Sequence, residues 1–354
     1  MTQAIFSEDD EQSMLRQAVR SIARRYGHAY YLKESRSGGD ASELWEELGR
    51  GGYLGANIPE AYGGAGAGIT ELAIVCEELA AAGAPSFMLI VSSAICAELL
   101  VRHGSEDLKL AWLPRMAAGE TAMAFGITEP DAGLNTHRIS TTATLDGDHY
   151  RLRGQKYYVS GVEHAEAVVV IARTATDART GRPGLSMLLV DPSLPGFEKT
   201  LIPVEMTAPE KQWQLFFDDV MVPAECLIGV EGEGMRQMFG GLNPERIMAA
   251  ALENGLALYA LEKASRYARE RVVWDTPIGA HQGIAHPLAK CKIEVELARL
   301  MTSKAAWLHD NGLATEYGLA TLWGVARLQR TAPVSREMIF NYVAQHSLGL
   351  PRSY

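Results

Sequence analysis

Cysteine is scarce in this chain of 354 residues: the four present, Cys76, Cys96, Cys226 and Cys291, lie far apart with no CxxC pair and no accompanying His cluster. That excludes a disulfide framework and a zinc site, and suits a reducing compartment. Positive charge is in deficit as well, with 33 Lys and Arg against 43 Asp and Glu and a net charge of −10. Loose attraction to nucleic acid or an anionic membrane is therefore excluded, and any phosphate-bearing ligand must be held by a few well-placed basic groups. No segment approaches the roughly 18 uninterrupted apolar residues of a membrane span. The opening MTQAIFSEDDEQ lacks a basic start and an apolar run, so no signal or transit peptide is expected. Tandem repeats and low-complexity tracts are missing too.

What is present is the composition of an ordinary enzyme of two or three domains, 47% apolar and 21% charged, able to bury a large core. From Ser7 to about residue 119 the pattern is helical. Ser7 and Asp10 have capping-box spacing, and Met14, Leu15, Ala18, Val19 and Ile22 follow on one face. Thr70 can cap the run holding Leu72, Val75, Cys76 and Leu79, and Ser105 a segment ending near Pro114. Between about 121 and 229 the texture turns to β-rich runs such as EAVVVIAR (166–173) and LSMLLVD (185–191), with a hairpin expected at Asp146-Gly147 and an exposed loop over 174–184. Helical periodicity then returns over 235–272 and 282–310, with a last helix from near Ser335.

Two signals have plain explanations. YGGAGAG (62–68) precedes a helix, yet the preceding GANIPEA is not the buried strand that a dinucleotide site requires, so a flexible turn is expected. His281 and His286 are five apart with no third ligand nearby, which makes a metal site improbable.

The stronger signal is a set of three runs in order: FGITEPDAGLN (125–135), GQKYYVSG (154–161) and ERVVWDTPIGAHQ (270–282), joined by LNPERI (242–247) and the ending VSREMIFNYVAQHSLGLPRSY. Together they resemble the acyl-CoA dehydrogenase family over nearly the whole chain. The resemblance implies an α+β multidomain protein. Its parts are an N-terminal α-helical domain (1–120), a middle β-barrel (121–229) and a C-terminal helical bundle (230–354). FAD would lie between barrel and bundle at a subunit interface, in a homodimer or homotetramer of the bacterial cytoplasm serving fatty acid metabolism. An acyl-CoA would be the substrate and an electron-transfer flavoprotein the acceptor.

Matched position by position, Thr128 and Ser160 fall where the family places hydroxyls near the flavin's polar edge, and Tyr158 where an aromatic packs on the ring. A reduced flavin carries negative charge on its pyrimidine side, which short hydroxyl donors stabilise. Phe125, Ile127, Gly133 and Leu134 border the same cofactor; Leu134 replaces a family serine, so only its backbone carries over. Arg271 and Gln282 match positions at the FAD diphosphate and adenosine, and Trp274 is a further cofactor-binding position. Without the family, Arg271 reads as a solvated helix-end charge and Tyr158 as a core aromatic.

Many members carry the catalytic Glu late in the chain, where this sequence reads TAPVS (331–335) with Ala332 in its place. Alanine accepts no proton. In the isovaleryl-CoA and long-chain acyl-CoA dehydrogenases the base is instead a Glu in the helix corresponding to LNPERI, and Glu245 matches it. Flavin and acyl chain would desolvate that carboxylate and raise its pKa toward neutrality. Asn243 and Arg246 match positions near the CoA pantetheine or the base, and the backbone N–H at Ala332 would serve the enolate oxygen. Without the family, Glu245 reads as a partner of Arg246 or a helix-start charge; a non-catalytic family subunit, which lost flavin contacts would favour, and a flavin oxidase or monooxygenase can use the same scaffold.

The sharpest departure is LHDNGLATEYGLATLWG (308–324), where relatives have a further long helix before a loop that reaches a neighbouring subunit's FAD. A four-helix bundle without one member would expose a broad apolar face. A segment of about 30 residues, enough for a helix and its loop, is therefore expected to be unresolved between Asp310 and Leu313, with a true deletion as the alternative. That gap would stretch the Cα step beyond the ordinary ~3.8 Å.

Overall fold

The computed structural model describes residues 8–176 and 183–313. Helices come first: α1 (Asp10–Ser37), α2 (Ser42–Arg50), α3 (Ile69–Ala81), a π-helical stretch (Leu89–Ala97) continuing into α4 (Glu98–His103), and α5 (Glu106–Ala117). Eight strands follow: β1 (Ala122–Gly126), β2 (Thr142–Asp146), β3 (His149–Ser160), β4 (Ala165–Thr176), β5 (Pro183–Val190), β6 (Phe197–Ile202), β7 (Gln212–Pro223) and β8 (Leu227–Ile228). The chain returns to helix with α6 (Gly234–Gln237) and α7 (Phe239–Glu270), makes a small hairpin of β9 (Val272–Val273) and β10 (Thr276–Pro277), and continues into α8 (Gln282–Asp310). These elements divide into two compact units. One joins residues 1–31, 69–86 and 246–354, the other residues 32–68 and 87–245.

The second unit is built on an eight-stranded sheet in the order β6-β7-β3-β2-β4-β5-β8, with β1 parallel to β4. In β4, Ala167, Val169 and Ile171 face a core shared with Leu99, Leu100, Leu113 and Met116 of the helices, while Val168, Val170 and Ala172 face a second core made by the strands alone. Burial on both faces explains why this strand reads as an unbroken apolar run. The sheet curls around that second core, which Leu152, Leu215, Val220 and Val222 fill from β3 and β7. The β2–β3 hairpin turns one residue later than Asp146-Gly147 suggested: Asp146 pairs with His149, and Gly147 at φ 65° opens the two-residue loop. Glycine in that first position is what a type II′ turn requires.

The first unit packs α1, α3, α7 and α8. α3 is buried almost all round, including Glu77 and Glu78 at 5% and 3% exposure. Its carboxylates are satisfied from two sides: Arg16 of α1 reaches Glu77 at 2.7 Å, Arg20 grips Glu78 at 2.8 and 2.9 Å, and Arg299 of α8 donates twice to Glu77. Gly255 of α7 lets the backbones meet, since a Cβ there would sit 2.3 Å from the Glu77 carbonyl oxygen.

Caps account for two differences from the sequence pattern. The first helix is capped by Asp9, whose carboxylate accepts from the Gln12 backbone while Gln12 Oε1 accepts from the Asp9 N–H. This is a capping box displaced from the Ser7–Asp10 frame, and Ser7 lies outside the described residues. α3 is not capped by Thr70: the carboxylate of Asp310 accepts from the backbone N–H groups of Ile69 and Thr70 (2.9 Å each) and from the Thr70 hydroxyl. Ser105 does cap α5, accepting from the Leu108 N–H at 3.2 Å.

The expected break between Asp310 and Leu313 is not there. Leu313 N–H donates to the Leu308 carbonyl at 2.8 Å and Gly312 N–H to that of His309 at 3.0 Å, with Gly312 at φ 71°. These two bonds form a Schellman cap, so the chain is continuous through Asn311-Gly312 and the helix stops there. Ile293, Leu297 and Leu300 stand exposed along one face of α8. The helix expected from Ser335 lies outside the described residues, as does the middle of the 174–184 stretch, into whose ends β4 and β5 extend.

Candidate functional site

In the sheet unit, β3 carries a bulge that shapes the site. Lys156 pairs with Leu215 and Val159 with Trp213, so three steps on β3 span two on β7. Tyr158 takes up the extra residue at φ 56° and stands 56% exposed, its ring edge-on to Tyr157 at 4.4 Å. A bulky residue with positive φ is a true conformational outlier, held by its surroundings. Two residues on, the Ser160 hydroxyl lies 3.0 Å from Gln212 Oε1 and 2.9 Å from its Nε2.

Opposite the bulge runs the segment after β1. The Thr128 carbonyl accepts from the Tyr157 N–H at 2.8 Å, and Glu129 and Ala132 exchange two backbone bonds that tie off a tight loop. Phe125 and Ile127 are partly buried against the core shared with the helices. Gly133 and Leu134 lie exposed beyond the loop; Leu134 is one of the exposed large apolar residues.

Below this surface lies a charged pair that the sequence patterns do not single out. Lys156, 0% exposed, donates from Nζ to the Ile127 carbonyl (3.1 Å) and to Glu129 Oε1 (2.8 Å). Glu129 also accepts from the Ser140 N–H and hydroxyl and from the Thr141 N–H. Burial alone would raise the Glu129 pKa. The Lys156 ammonium and the hydrogen bonds outweigh it and bring the carboxyl down to about 2. For Lys156, burial lowers the pKa to about 8, an effect that Glu129 only partly offsets. Both groups are charged at neutral pH. The only sequence signal was a lysine at an inward position of an alternating strand, which reads equally well as a strand-end charge.

Asn243 and Glu245 sit half-buried near the start of α7, and both are engaged in interactions. Leu242, one turn before Glu245, packs against the same core as Phe125 and Ile127.

In the helical unit, Arg246 follows on α7, half-buried and engaged. Arg271 ends the helix exposed, its N–H donating to Tyr267 and its carbonyl accepting from Ile278 at 2.8 Å each. Trp274 and Asp275 both have positive φ, 50° and 60°, between β9 and β10, and Trp274 is 87% exposed. Gln282, also exposed, opens α8. Ala332 lies outside the described residues. Among the described residues no His, Cys, Asp and Glu cluster could hold a metal, and no helix is long and apolar enough to cross a membrane.

Comparison with known proteins agrees with this architecture. The family model of the acyl-CoA dehydrogenase N-terminal domain matches residues 9–120, that of the middle domain residues 124–220, and that of the C-terminal domain residues 232–333. The chain is 47% identical over 389 residues to acyl-CoA dehydrogenase FadE12 of Mycobacterium tuberculosis, with 100% of each covered. A match longer than these 354 residues means that the relative has residues without a counterpart here. Identity to a glutaryl-CoA dehydrogenase of Desulfococcus multivorans is 38% over 274 residues, 76% of this chain and 70% of that one. Among solved structures, butyryl-CoA dehydrogenase from Megasphaera elsdenii matches with a TM-score of 0.84 at 28% identity, covering 92% of this chain and 86% of that one. This chain belongs to the acyl-CoA dehydrogenase family, FAD-dependent oxidoreductases acting on the CH–CH groups of acyl-CoA thioesters.

Proposed function

We propose that Glu245 is the base that removes the α-proton of an acyl-CoA, with the β-hydride passing to FAD. The observation that supports this most is the packing of Leu242, which ties the turn carrying Glu245 to the core that also seats Phe125 and Ile127. A half-buried carboxylate beside an apolar acyl chain is partly desolvated, which favours proton uptake. Bound FAD supplies the hydride acceptor.

The residues present fit that cofactor. Tyr158 and Trp274 are each held exposed in backbone conformations that side chains of their size rarely adopt, so each offers apolar contact that needs no further ordering. Thr128 and Ser160 offer hydroxyls to the polar edge of the ring, with Phe125, Ile127, Gly133 and Leu134 along its border. Arg271 presents a planar, exposed guanidinium suited to diphosphate oxygens, with Gln282 toward the adenosine. Asn243 and Arg246 are assigned to the CoA pantetheine, and the backbone N–H of Ala332 to the thioester oxygen. An electron-transfer flavoprotein takes the electrons, and the assembly is a homodimer or homotetramer.

Anaerobic mixing of the FAD-loaded protein with a panel of acyl-CoAs tests the reading through loss of oxidised-flavin absorbance. Glu245→Gln should keep its FAD and reduce it more slowly by about 10²–10⁴-fold. An unchanged rate would remove Glu245 from the role. Reduction by NADH and by no acyl thioester would replace the dehydrogenase with a monooxygenase component.

A further inference from the structure

We infer that Lys156 and Glu129 are a positioning pair for the flavin: one buried ammonium fixes the spacing between the loop bearing Thr128 and the bulge bearing Tyr158. The inference rests on the FAD reading above. Its basis is where the bonds go. Lys156 Nζ holds the Ile127 carbonyl and the Glu129 carboxylate, the two residues flanking Thr128. Thr128 itself is bonded through its carbonyl to Tyr157, next to Lys156 on the strand. Glu129 extends the clamp to Ser140 and Thr141, and the Thr141 hydroxyl donates to the Gln155 carbonyl at 3.0 Å, returning to β3. Of the proposed flavin contacts in this stretch, Ile127, Thr128 and Tyr158 lie within two residues of Glu129 or Lys156, Gly133 and Leu134 follow the loop that Glu129 and Ala132 tie off, and Ser160 lies four residues beyond Lys156 on β3.

Burying two charges costs several kcal/mol per ion before their attraction is counted, and well-packed apolar residues often do as well or better for stability. What an apolar pair cannot supply is direction. An ammonium with two acceptors at 2.8 and 3.1 Å permits one separation of loop and strand, whereas packed methyl groups tolerate sliding. Supporting contacts of this kind set the precision of the residues that touch a ligand.

The test compares Lys156→Met with the double variant Lys156→Met/Glu129→Gln, which removes both charges and keeps an acceptor for the Ser140 and Thr141 N–H groups. Apoprotein melting reports stability; fluorescence titration reports FAD affinity; visible circular dichroism and the absorbance bands report how the ring is held. The single variant should be destabilised, because it leaves a buried carboxylate unpaired. The double variant should recover most of that loss, yet bind FAD about tenfold or more weakly, the scale at which supporting contacts act, with altered visible bands. A double variant that binds FAD with parental affinity and parental bands would overturn the inference and leave the pair a structural brace. Parent protein that takes up no FAD would overturn the cofactor reading itself, a separate outcome. If the single variant does not fold, the double variant alone decides.

Discussion

Asp310 offers the most direct check on how the helical unit is held. Its carboxylate accepts from Ile69 N–H, Thr70 N–H and the Thr70 hydroxyl, with both backbone contacts at 2.9 Å. It does so as the last residue of α8, far from α3 in sequence. Losing an ordinary N-cap costs about 0.5–2 kcal/mol, and a carboxylate at a helix N-terminus adds about 0.3–1 kcal/mol of dipole interaction. Asp310→Ala should therefore cost about 2 kcal/mol. Asp310→Asn, which keeps an acceptor and loses the charge, should cost about half. Hydrogen exchange reads the effect locally: about 2 kcal/mol corresponds to roughly 30-fold faster exchange in the first turn of α3, with a matching fall in the denaturant midpoint. Unchanged exchange and midpoint in the alanine variant would refute the cap.

Two further outcomes follow from buried charge. Glu129 has a folded pKa of about 2, below the ordinary 4.5, so its contribution is fully present above about pH 4.5 and is lost as pH falls toward 2; urea midpoints at pH 6, 4 and 3 should decline more steeply in the parent than in Glu129→Gln. Glu78, buried and bonded to Arg16 and Arg20, has its carboxyl held below the ordinary value by their guanidiniums, against the upward pull of burial. Glu78→Gln should lower stability by about 3 kcal/mol, measured by chemical denaturation; a loss under about 0.5 kcal/mol, ordinary for a surface change, would mean that the Arg–Glu network is not holding α1 to α3.

Local rules made much of the fold legible. Helical periodicity located α3, α7 and α8, and the β-branched runs located β4 and β5 because a strand buried on both faces has to be apolar throughout. Ser105 was readable as a cap because its partner, Leu108, is three residues away. Thr70 was misread because the group that caps α3 is 240 residues distant, and no local pattern records such a contact. At Asn311-Gly312 a helix stop and a junction look alike in sequence; the two Schellman bonds show that the chain is continuous there. At the candidate site, family resemblance supplied the residues proposed to face the cofactor. It supplied neither the bulge that turns Tyr158 outward nor the Lys156–Glu129 clamp, since both depend on register between β3 and its neighbours.

The stitching of the helical unit from segments 1–31, 69–86 and 246–354 sets an order on synthesis. Arg16 can meet Glu77 and Glu78 as soon as α3 emerges, but Arg299 and Asp310 arrive more than 200 residues later. At about 5–20 residues per second, α3 waits roughly ten seconds or more with its N-terminal amides uncapped and its packing against α8 unmade. The sheet unit, whose segments 32–68 and 87–245 are nearly contiguous, can close during that interval. The nascent chain therefore passes through a stage in which a folded β-rich body trails an unfinished, strongly apolar helix, and that stage is when it most needs a chaperone.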